Sequence, residues 1–414
     1  MERKLWQFPW GYRESALFIG GVSLVGFMLQ LSIGHFNFYI LHSPANYIFL
    51  AVTCALIALG AKVQNTALIR WFSGIPFTVC LIAGLLIFSL IMGLTPQVVR
   101  VDPHAHNVFS DLGFTRVTSS WPFVLLYAAT VLSLGITTVK RIMRFTKKDA
   151  AFICNHLGLW ILLVAAGLGA ADMQRVVMHV REGETEWRVY NEAKEILALP
   201  IAIKLKDFIM EEYPPKLVII DRETGKAQPE GKPYTFQLNQ KRPSGKLGEW
   251  TVNLEEYMHE AVRVGETYRA SSMPASTPAA KVTVKNTRTG ETKTGWVCGG
   301  GNMPGFFSSI TLDDTDLMVM TEPEPKRFAS DITVLTKGGV TKHAVLEVNK
   351  PVKAGDWLIY QFGYDNAAGK MSSYSSMELV YDPWLLPAYA GILLMCLGSL
   401  CLVWRGTGKR RKAS

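Results

Sequence analysis

The stretch Ala151-Phe-Ile-Cys-Asn-His-Leu-Gly-Leu-Trp160, continued by Ile161-Leu-Leu-Val-Ala-Ala-Gly-Leu-Gly-Ala170, decides the architecture of this chain. It is an apolar run of about 20 residues, the length that a helix needs to cross roughly 30 Å of hydrocarbon. One ionisable side chain, His156, interrupts it. Ionisable groups at membrane depth are costly, face protein or a cavity, and mark functional sites by default. The stretch therefore predicts a membrane span that carries a candidate site.

Other apolar windows of similar length occur on both sides of this stretch. The predicted spans cover residues 15–31, 47–61, 76–94, 121–139, 151–171 and 384–404. The first window is interpreted as a retained span, because no small-x-small cleavage site follows it. We therefore predict five spans within residues 1–172, a sixth at 384–404 and a basic tail at 405–414.

Lysine and arginine are distributed unevenly over the loops between these windows. Fifteen lie before the first span, after the second and fourth spans, and in the tail, whereas the opposite loops, 33–46 and 96–120, hold two. An excess of basic residues marks the cytoplasmic side of a membrane. We expect a multi-pass protein of the bacterial cytoplasmic membrane, with both termini cytoplasmic and residues 173–383 outside.

The net charge of +9 follows from this distribution. Residues 173–383 contain 26 basic and 28 acidic residues, so the excess of positive charge lies at the cytoplasmic rims. The membrane topology accounts for the positive charge, so the charge does not indicate a nucleic-acid partner. We expect the chain to be surrounded by the lipid bilayer.

Residues 173–383 are rich in short runs with strand periodicity. The runs cover residues 200–208, 216–221, 250–254, 281–285, 331–335, 344–349, 357–362 and 377–381. Glycine-containing turns at 223–225, 288–290 and 337–339 separate several of them. The fold class predicted from the sequence is a multi-pass α-helical membrane protein of about six spans, with a large exported β-rich domain inserted before the last span.

Several classes of enzyme find no support in the sequence. Of six cysteines only Cys298 lies in the outer domain, and the chain contains no C-x-x-C motif of a thiol oxidoreductase. It contains no H-E-x-x-H zinc motif, and Gly299-Gly-Gly301 lacks the Gly-Lys-Ser/Thr of a phosphate loop. We therefore assign no catalytic residue and no metal site.

The histidines are the strongest candidates for cofactor binding. His156 alone is predicted within the hydrocarbon, and a neutral imidazole there can ligate haem iron. The alternative is that His156 forms a hydrogen bond between packed helices. His104 and His106, an i,i+2 pair in an outer loop, and His179, just outside the fifth span, are weaker candidates for a haem or metal edge.

Several segments resemble the ResB family of System II cytochrome c biogenesis. They are Lys326-Arg-Phe-Ala-Ser-Asp-Ile-Thr-Val-Leu, Glu347-Val-Asn-Lys-Pro-Val, Leu358-Ile-Tyr-Gln-Phe-Gly-Tyr-Asp, Tyr381-Asp-Pro-Trp and Asn155-His156-Leu-Gly-Leu. The resemblance covers about residues 151–404, and Val-Asn-Lys-Pro-Val with the Ile-Tyr-Gln strand is its most specific part. It is weaker over the first 120 residues.

The resemblance implies a specific function and specific partners. ResB proteins act with a second membrane protein, ResC or CcsA, which bears a tryptophan-rich haem-binding segment, to carry haem across the membrane. The haem is then attached to C-x-x-C-H motifs of apocytochromes c. The 11 tryptophans of this chain are scattered, so the chain looks like the partner subunit of a haem synthetase, holding haem transiently and in a shared site.

Two other functions are compatible with the general architecture. The first is a membrane-anchored scaffold whose outer β-domain binds another protein without haem. The second is a small-molecule transporter, but such proteins show internal repeats and broken helices, and neither is visible in the sequence.

The charge pattern makes a testable prediction about topology. A reporter that is active only outside the cytoplasm, fused after Ser414, should stay silent in cells that produce the chain. The same reporter inserted within residues 173–383 should be active, because the basic loops are expected to remain on the cytoplasmic side. An active fusion after Ser414 would reverse the assigned orientation.

Overall fold

A computed structural model describes residues 6–98, 107–190, 196–271, 276–299, 307–339 and 341–406. The chain divides into two compact units. The membrane unit consists of Met1–Arg175 with Tyr381–Ser414, and the β unit consists of Val176–Val380.

The described part of the membrane unit is helical. Its α-helices are α1 (Tyr12–Ile33), α2 (Ala45–Lys62), α3 (Ala67–Phe72), α4 (Ile75–Leu94), α5 (Val108–Asp111), α6 (Trp121–Met143), α7 (Ala150–Asp172) and α8 (Leu385–Gly406). Among the described residues, six helical segments are long and apolar enough to cross a membrane, and they contain α1, α2, α4, α6, α7 and α8. The six predicted spans are therefore confirmed. Short 3-10 helices at Phe38–Leu41 and Phe114–Ser119 lie in the connecting loops.

Local sequence explains how these helices tolerate the membrane. α4 and α6 each carry a proline in the first turn, where its missing N–H is not needed. Hydroxyl groups within the spans bond to the carbonyl one turn earlier, as Ser89 does to Leu85 at 2.9 Å and Thr130 to Leu126 at 2.8 Å. Because hydrocarbon offers no hydrogen bonds, this pairing removes the cost of burying a hydroxyl.

α7 and α8 are in backbone contact. A Cβ atom added to Gly158 would lie 2.5 Å from the Met395 nitrogen and 2.6 Å from the Gly391 oxygen. One added to Gly391 would lie 2.7 Å from the Gly158 oxygen. Beside this contact, the Asn155 amide donates to the Ser399 hydroxyl at 2.5 Å and to the Met395 carbonyl at 3.3 Å. Small residues and an interhelical hydrogen bond thus hold the last span against the span that precedes the β unit.

The β unit contains the strands that the alternating runs predict. They are β1 (Gln174–Arg181), β2 (Thr185–Tyr190), β3 (Ile196–Glu212), β4 (Lys216–Asp221), β5 (Thr235–Gln237), β6 (Ser244–Leu247), β7 (Trp250–Val264), β8 (Thr267–Ala270), β9 (Thr277–Asn286), β10 (Thr292–Cys298), β11 (Ile310–Thr311), β12 (Asp316–Met320), β13 (Pro325–Thr336), β14 (Thr341–Glu347), β15 (Val352–Ala354), β16 (Trp357–Tyr364) and β17 (Tyr374–Tyr381). Gly225 and Gly290, in two of the predicted turns, have φ values of 68° and 78°. This left-handed conformation favours glycine.

These strands form three sheets. The largest has eight strands in the order β14-β13-β3-β2-β1-β17-β16-β15. A second has the order β10-β9-β7-β6 with β8 paired to β7, and the third has the order β11-β12-β4-β5. Every pair with a described register is antiparallel, as expected for short strands joined by tight turns.

The two smaller sheets share one hydrophobic core. On β7, Trp250, Val252 and Leu254 alternate inward, and Val252 lies directly opposite Val284 of β9. The third sheet contributes buried residues such as Leu217 and Met318 to the same cluster. The large sheet instead buries a polar group, in which Ser330, Gln361 and Ser375 bond to one another at 2.7–2.8 Å. Because each of these side chains has a partner, the sheet can bury them at little cost.

The contact between α7 and α8 predicts a difference between two otherwise similar substitutions. Gly158→Ala should destabilise the full-length chain in detergent by about 1–3 kcal/mol, because its Cβ meets backbone atoms that have no room to move. Gly20→Ala on α1 is the matched control, since nothing lies within 4 Å of a Cβ there. Thermal unfolding of both variants checks this, and equal melting temperatures would contradict the close contact.

Candidate functional site

His156 lies on α7, six residues after its first residue, Ala150. At 1.5 Å per residue this is about 9 Å along the helix axis, within the half of the span that the charge pattern assigns to the cytoplasmic side. The side chain is half-buried. Among the described residues, His156 is the one histidine that lies inside a membrane-spanning helix.

The hydrogen bond of His156 determines which ring nitrogen is available. Nδ1 lies 3.0 Å from the Phe152 carbonyl oxygen, one turn earlier on the same helix. Because a carbonyl only accepts, Nδ1 carries the proton and Nε2 carries the lone pair in the neutral ring. Nε2 is therefore the atom that can bind a metal or haem iron.

The ring of His156 is also held by aromatic stacking. Its centroid lies 3.7 Å from that of Phe152, and the Arg141 guanidinium lies 5.3 Å from the same phenyl ring. Arg141 in turn donates to Asp149 at 2.8 Å. Hydrogen bonding from Thr146, together with Arg141, holds the pKa of Asp149 below its ordinary value, so this carboxylate is charged at neutral pH. These contacts connect Asp149 and Arg141, through the Phe152 ring, to the imidazole of His156.

A second histidine lies at the opposite end of α7. Asp172, the last residue of that helix, is only 3% exposed. It accepts from the Ser43 backbone N–H at 2.9 Å, the Trp384 indole at 2.7 Å and the Asn46 amide. His42 Nδ1 lies 3.2 Å from Asp172 Oδ1, the oxygen that also accepts from Ser43. Asp172 thereby joins the ends of α7 and α8 to the start of α2.

The carboxylate orients the His42 ring. Nδ1 faces two acceptors, Asp172 Oδ1 and the Ala171 carbonyl at 3.4 Å, so it carries a proton and Nε2 points away from this pair. The Tyr39 ring stacks on the imidazole with centroids 5.2 Å apart and planes 8° from parallel. A histidine whose far nitrogen is fixed by a carboxylate is the usual arrangement of a ligand imidazole.

Sequence reasoning did not identify the pair of His42 and Asp172. The signal was present in Asp172, an acidic residue at the end of an otherwise apolar span, where a carboxylate requires a partner. Its partners come from residues 42, 46 and 384, which no local pattern connects.

The other predicted site residues lie elsewhere. His104 and His106 lie outside the described residues. His179 lies on β1 of the β unit, where Nδ1 is 2.7 Å from the Ser376 hydroxyl and the ring is edge-on to Tyr374. In the described ranges no three histidine, cysteine, aspartate or glutamate side chains are grouped as a metal site.

The cluster around Asp172 predicts an order of stabilities. Asp172→Ala should lower the stability of the full-length chain by on the order of 3 kcal/mol, because several buried donors lose their acceptor. Asp172→Asn should cost less, since its amide oxygen still accepts. Unfolding of the two variants in detergent tests this order, and a wild-type melting temperature for Asp172→Ala would show that the cluster contributes nothing.

One comparison with known proteins, the match to a family model, agrees with the family resemblance. Residues 272–378 match the model of the ResB-like family. No curated protein matches the chain. Among solved structures, the chain is similar to one described as "Cytochrome c Heme Lyase CcmF", at 12% sequence identity and a TM-score of 0.23, over 95% of this chain and 60% of that one. This chain therefore spans less than two thirds of that protein. Over residues 272–378 the chain is similar to the ResB-like family, and this match supports a role in cytochrome c biogenesis.

Proposed function

We propose that this protein is a membrane subunit of a System II cytochrome c synthetase. In this role it helps carry haem across the bacterial cytoplasmic membrane and presents it for attachment to C-x-x-C-H apocytochromes c. The ResB-like segment 272–378 supports the pathway, and the geometry of His156 supports the contact with haem. Both termini are cytoplasmic in this proposal, and residues 173–383 lie outside.

The observation that carries the proposal is the hydrogen bond of His156. The alternative role, a hydrogen bond between packed helices, requires a partner on another helix. The described bond instead goes to Phe152 on the same helix, and it leaves Nε2 with its lone pair. An imidazole fixed in this tautomer, with one nitrogen free inside the bilayer, is suited to axial ligation of haem iron.

The chain's own residues would orient the ligand. The Phe152 ring and carbonyl hold the imidazole from one side, and Asp149 holds Arg141 over the Phe152 ring. A positively charged group at this end of the span favours the approach of a molecule with carboxylates, such as haem. When bound, haem supplies the iron that the imidazole ligates and the vinyl groups to which the apocytochrome thiols add.

The site would be shared with another subunit. A bis-histidine haem needs two facing imidazoles, and the described membrane-spanning helices supply one. We assign the second ligand to a ResC/CcsA-type partner that bears the tryptophan-rich segment. This chain would then contribute positioning to the haem attachment, with the apocytochrome thiolate as the nucleophile.

The decisive experiment measures haem that co-purifies with the chain and its partner. His156→Ala should keep protein level and partner binding near normal while lowering haem per complex and cytochrome c yield at least severalfold. Imidazole in the growth medium should partly restore both, because it fits the vacated volume and coordinates iron.

His259→Ala is the matched control, since His259 is exposed in the β unit. It should change neither haem content nor yield. Unchanged haem in His156→Ala would remove this residue from the site. A colourless wild-type complex that still assembles would favour a scaffold protein without haem.

A further inference from the structure

The membrane unit contains a large apolar cavity between α2, α6 and α7. Its volume is about 520 Å³, within the range of ligand sites. Its described lining contains no charged residue and no histidine, and it includes the aromatic rings of Phe36, Phe38 and Phe49. Tyr127 also lines it, but its hydroxyl already donates to the Leu163 carbonyl at 2.5 Å. The walls therefore offer a ligand mainly apolar contact.

The depth of the cavity can be measured along the three helices. The lining reaches Leu56, eleven residues after the start of α2, and Leu132, eleven residues after the start of α6. On α7 it begins at Leu163, nine residues before the end of that helix. At 1.5 Å per residue these positions lie about 14–17 Å from the same end of the bundle. Half of the roughly 30 Å of hydrocarbon is about 15 Å, so the cavity is as deep as one leaflet.

Two loop segments form the mouth of the cavity at this end. The Phe36 backbone N–H donates to the Ser119 carbonyl at 2.8 Å, and the Phe36 ring packs edge-on against Trp121 with centroids 5.2 Å apart. Phe36 and Thr118 both belong to the lining. Residues 35–36 and 115–121 therefore lie against each other beside the opening.

Several polar atoms of these two segments have no partner. The ring nitrogens His35 Nδ1 and Trp121 Nε1 and the hydroxyl oxygen Thr115 Oγ1 are buried and lack a hydrogen-bond partner within the described chain. Arg116 is half-buried and forms no ion pair with a carboxylate of the described residues. An unpaired cation and buried donors without acceptors are costly unless an anion binds them.

The charge of this polar cluster is that of Arg116. Burial of His35, and then the charge of Arg116, lowers the pKa of the imidazole, so His35 is neutral at pH 7. Trp121 and Thr115 add uncharged donors. One guanidinium with neutral donors suits a singly charged phosphodiester, whose oxygens accept charge-assisted hydrogen bonds.

We propose that the membrane unit binds one phospholipid at this place, with an acyl chain in the cavity and the phosphate at Arg116 and Trp121. An acyl chain is one leaflet long and needs no hydrogen bonds, as the cavity requires. A free anion would leave the cavity empty, and a wholly apolar molecule would leave the polar cluster unpaired. In the proposed topology the lipid comes from the outer leaflet. The proposal does not depend on the role of His156.

The acyl-chain part is tested by native mass spectrometry of the delipidated full-length chain in detergent, with dioleoyl-phosphatidylglycerol added. About one lipid should bind to the wild type. Ala128→Phe, which fills the cavity from α6, should weaken this binding at least tenfold, and Ala166→Phe should do so from α7. Ala55→Phe is the matched control, because Ala55 is exposed on α2 and absent from the lining. Wild-type binding by both cavity-filling variants would overturn the proposal.

The phosphate part is tested with variants of the polar cluster. Trp121→Phe keeps an aromatic ring against Phe36 but removes the N–H, and it should weaken binding about fivefold. Arg116→Gln should also weaken it about fivefold, the effect of one cation near a membrane surface. Arg70→Gln, which changes an exposed arginine on α3 at the other end of the bundle, should bind the lipid like the wild type.

A lipid without phosphate completes the test. Dioleoylglycerol has the same acyl chains, so it should bind more weakly than the phospholipid and respond to neither Arg116→Gln nor Trp121→Phe. If it binds as tightly as the phospholipid, or if both variants bind the phospholipid like the wild type, the proposal is wrong. Displacement of the lipid by inorganic phosphate would assign the polar cluster to a free anion and would also overturn it.

Discussion

The backbone contact of α7 with α8 is the constraint on which the rest of the membrane unit depends. Gly158 and Gly391 bring the two helices closer than any side chain allows, and Asn155 and Ser399 fix their register by a hydrogen bond. The Asp172 carboxylate then ties the two helix ends together through Trp384. The two chain segments that lead into and out of the β unit therefore leave the membrane unit side by side.

The hydrocarbon of the bilayer offers no hydrogen bonds, and this constrains every polar group in the membrane unit. A donor or acceptor without a partner is costly there, so hydroxyls bond to carbonyls one turn away and indole groups bond across helices. His156 within α7, and His42 beside the last residue of that helix, follow the same rule with one ring nitrogen each. Because each ring has two nitrogens, satisfying one leaves the other free to act as a ligand. The lone pair on Nε2 of each ring is a consequence of that pairing.

The sequence predicted much of the fold because its signals are local. Hydropathy identified six spans, and strand periodicity with glycine turns identified the β unit. The single buried histidine was also visible, since an imidazole within an apolar run needs no structure to be noticed. In contrast, the pairing of Asp172 with His42 joins residues 130 positions apart. No periodicity encodes this pairing.

The order in which the chain is made gives the α7–α8 contact a further consequence. Roughly 210 residues separate the end of α7 from the start of α8. At about 5–20 residues per second, synthesis of this segment takes on the order of 10–40 s. During that interval three groups of α7 lack their final partners. They are Gly158, which later packs against Gly391, the Asn155 amide, which later bonds to Ser399, and Asp172, which later bonds to the Trp384 indole. The membrane unit therefore completes its assembly only after the β unit has been synthesised, so the last helix closes the membrane unit.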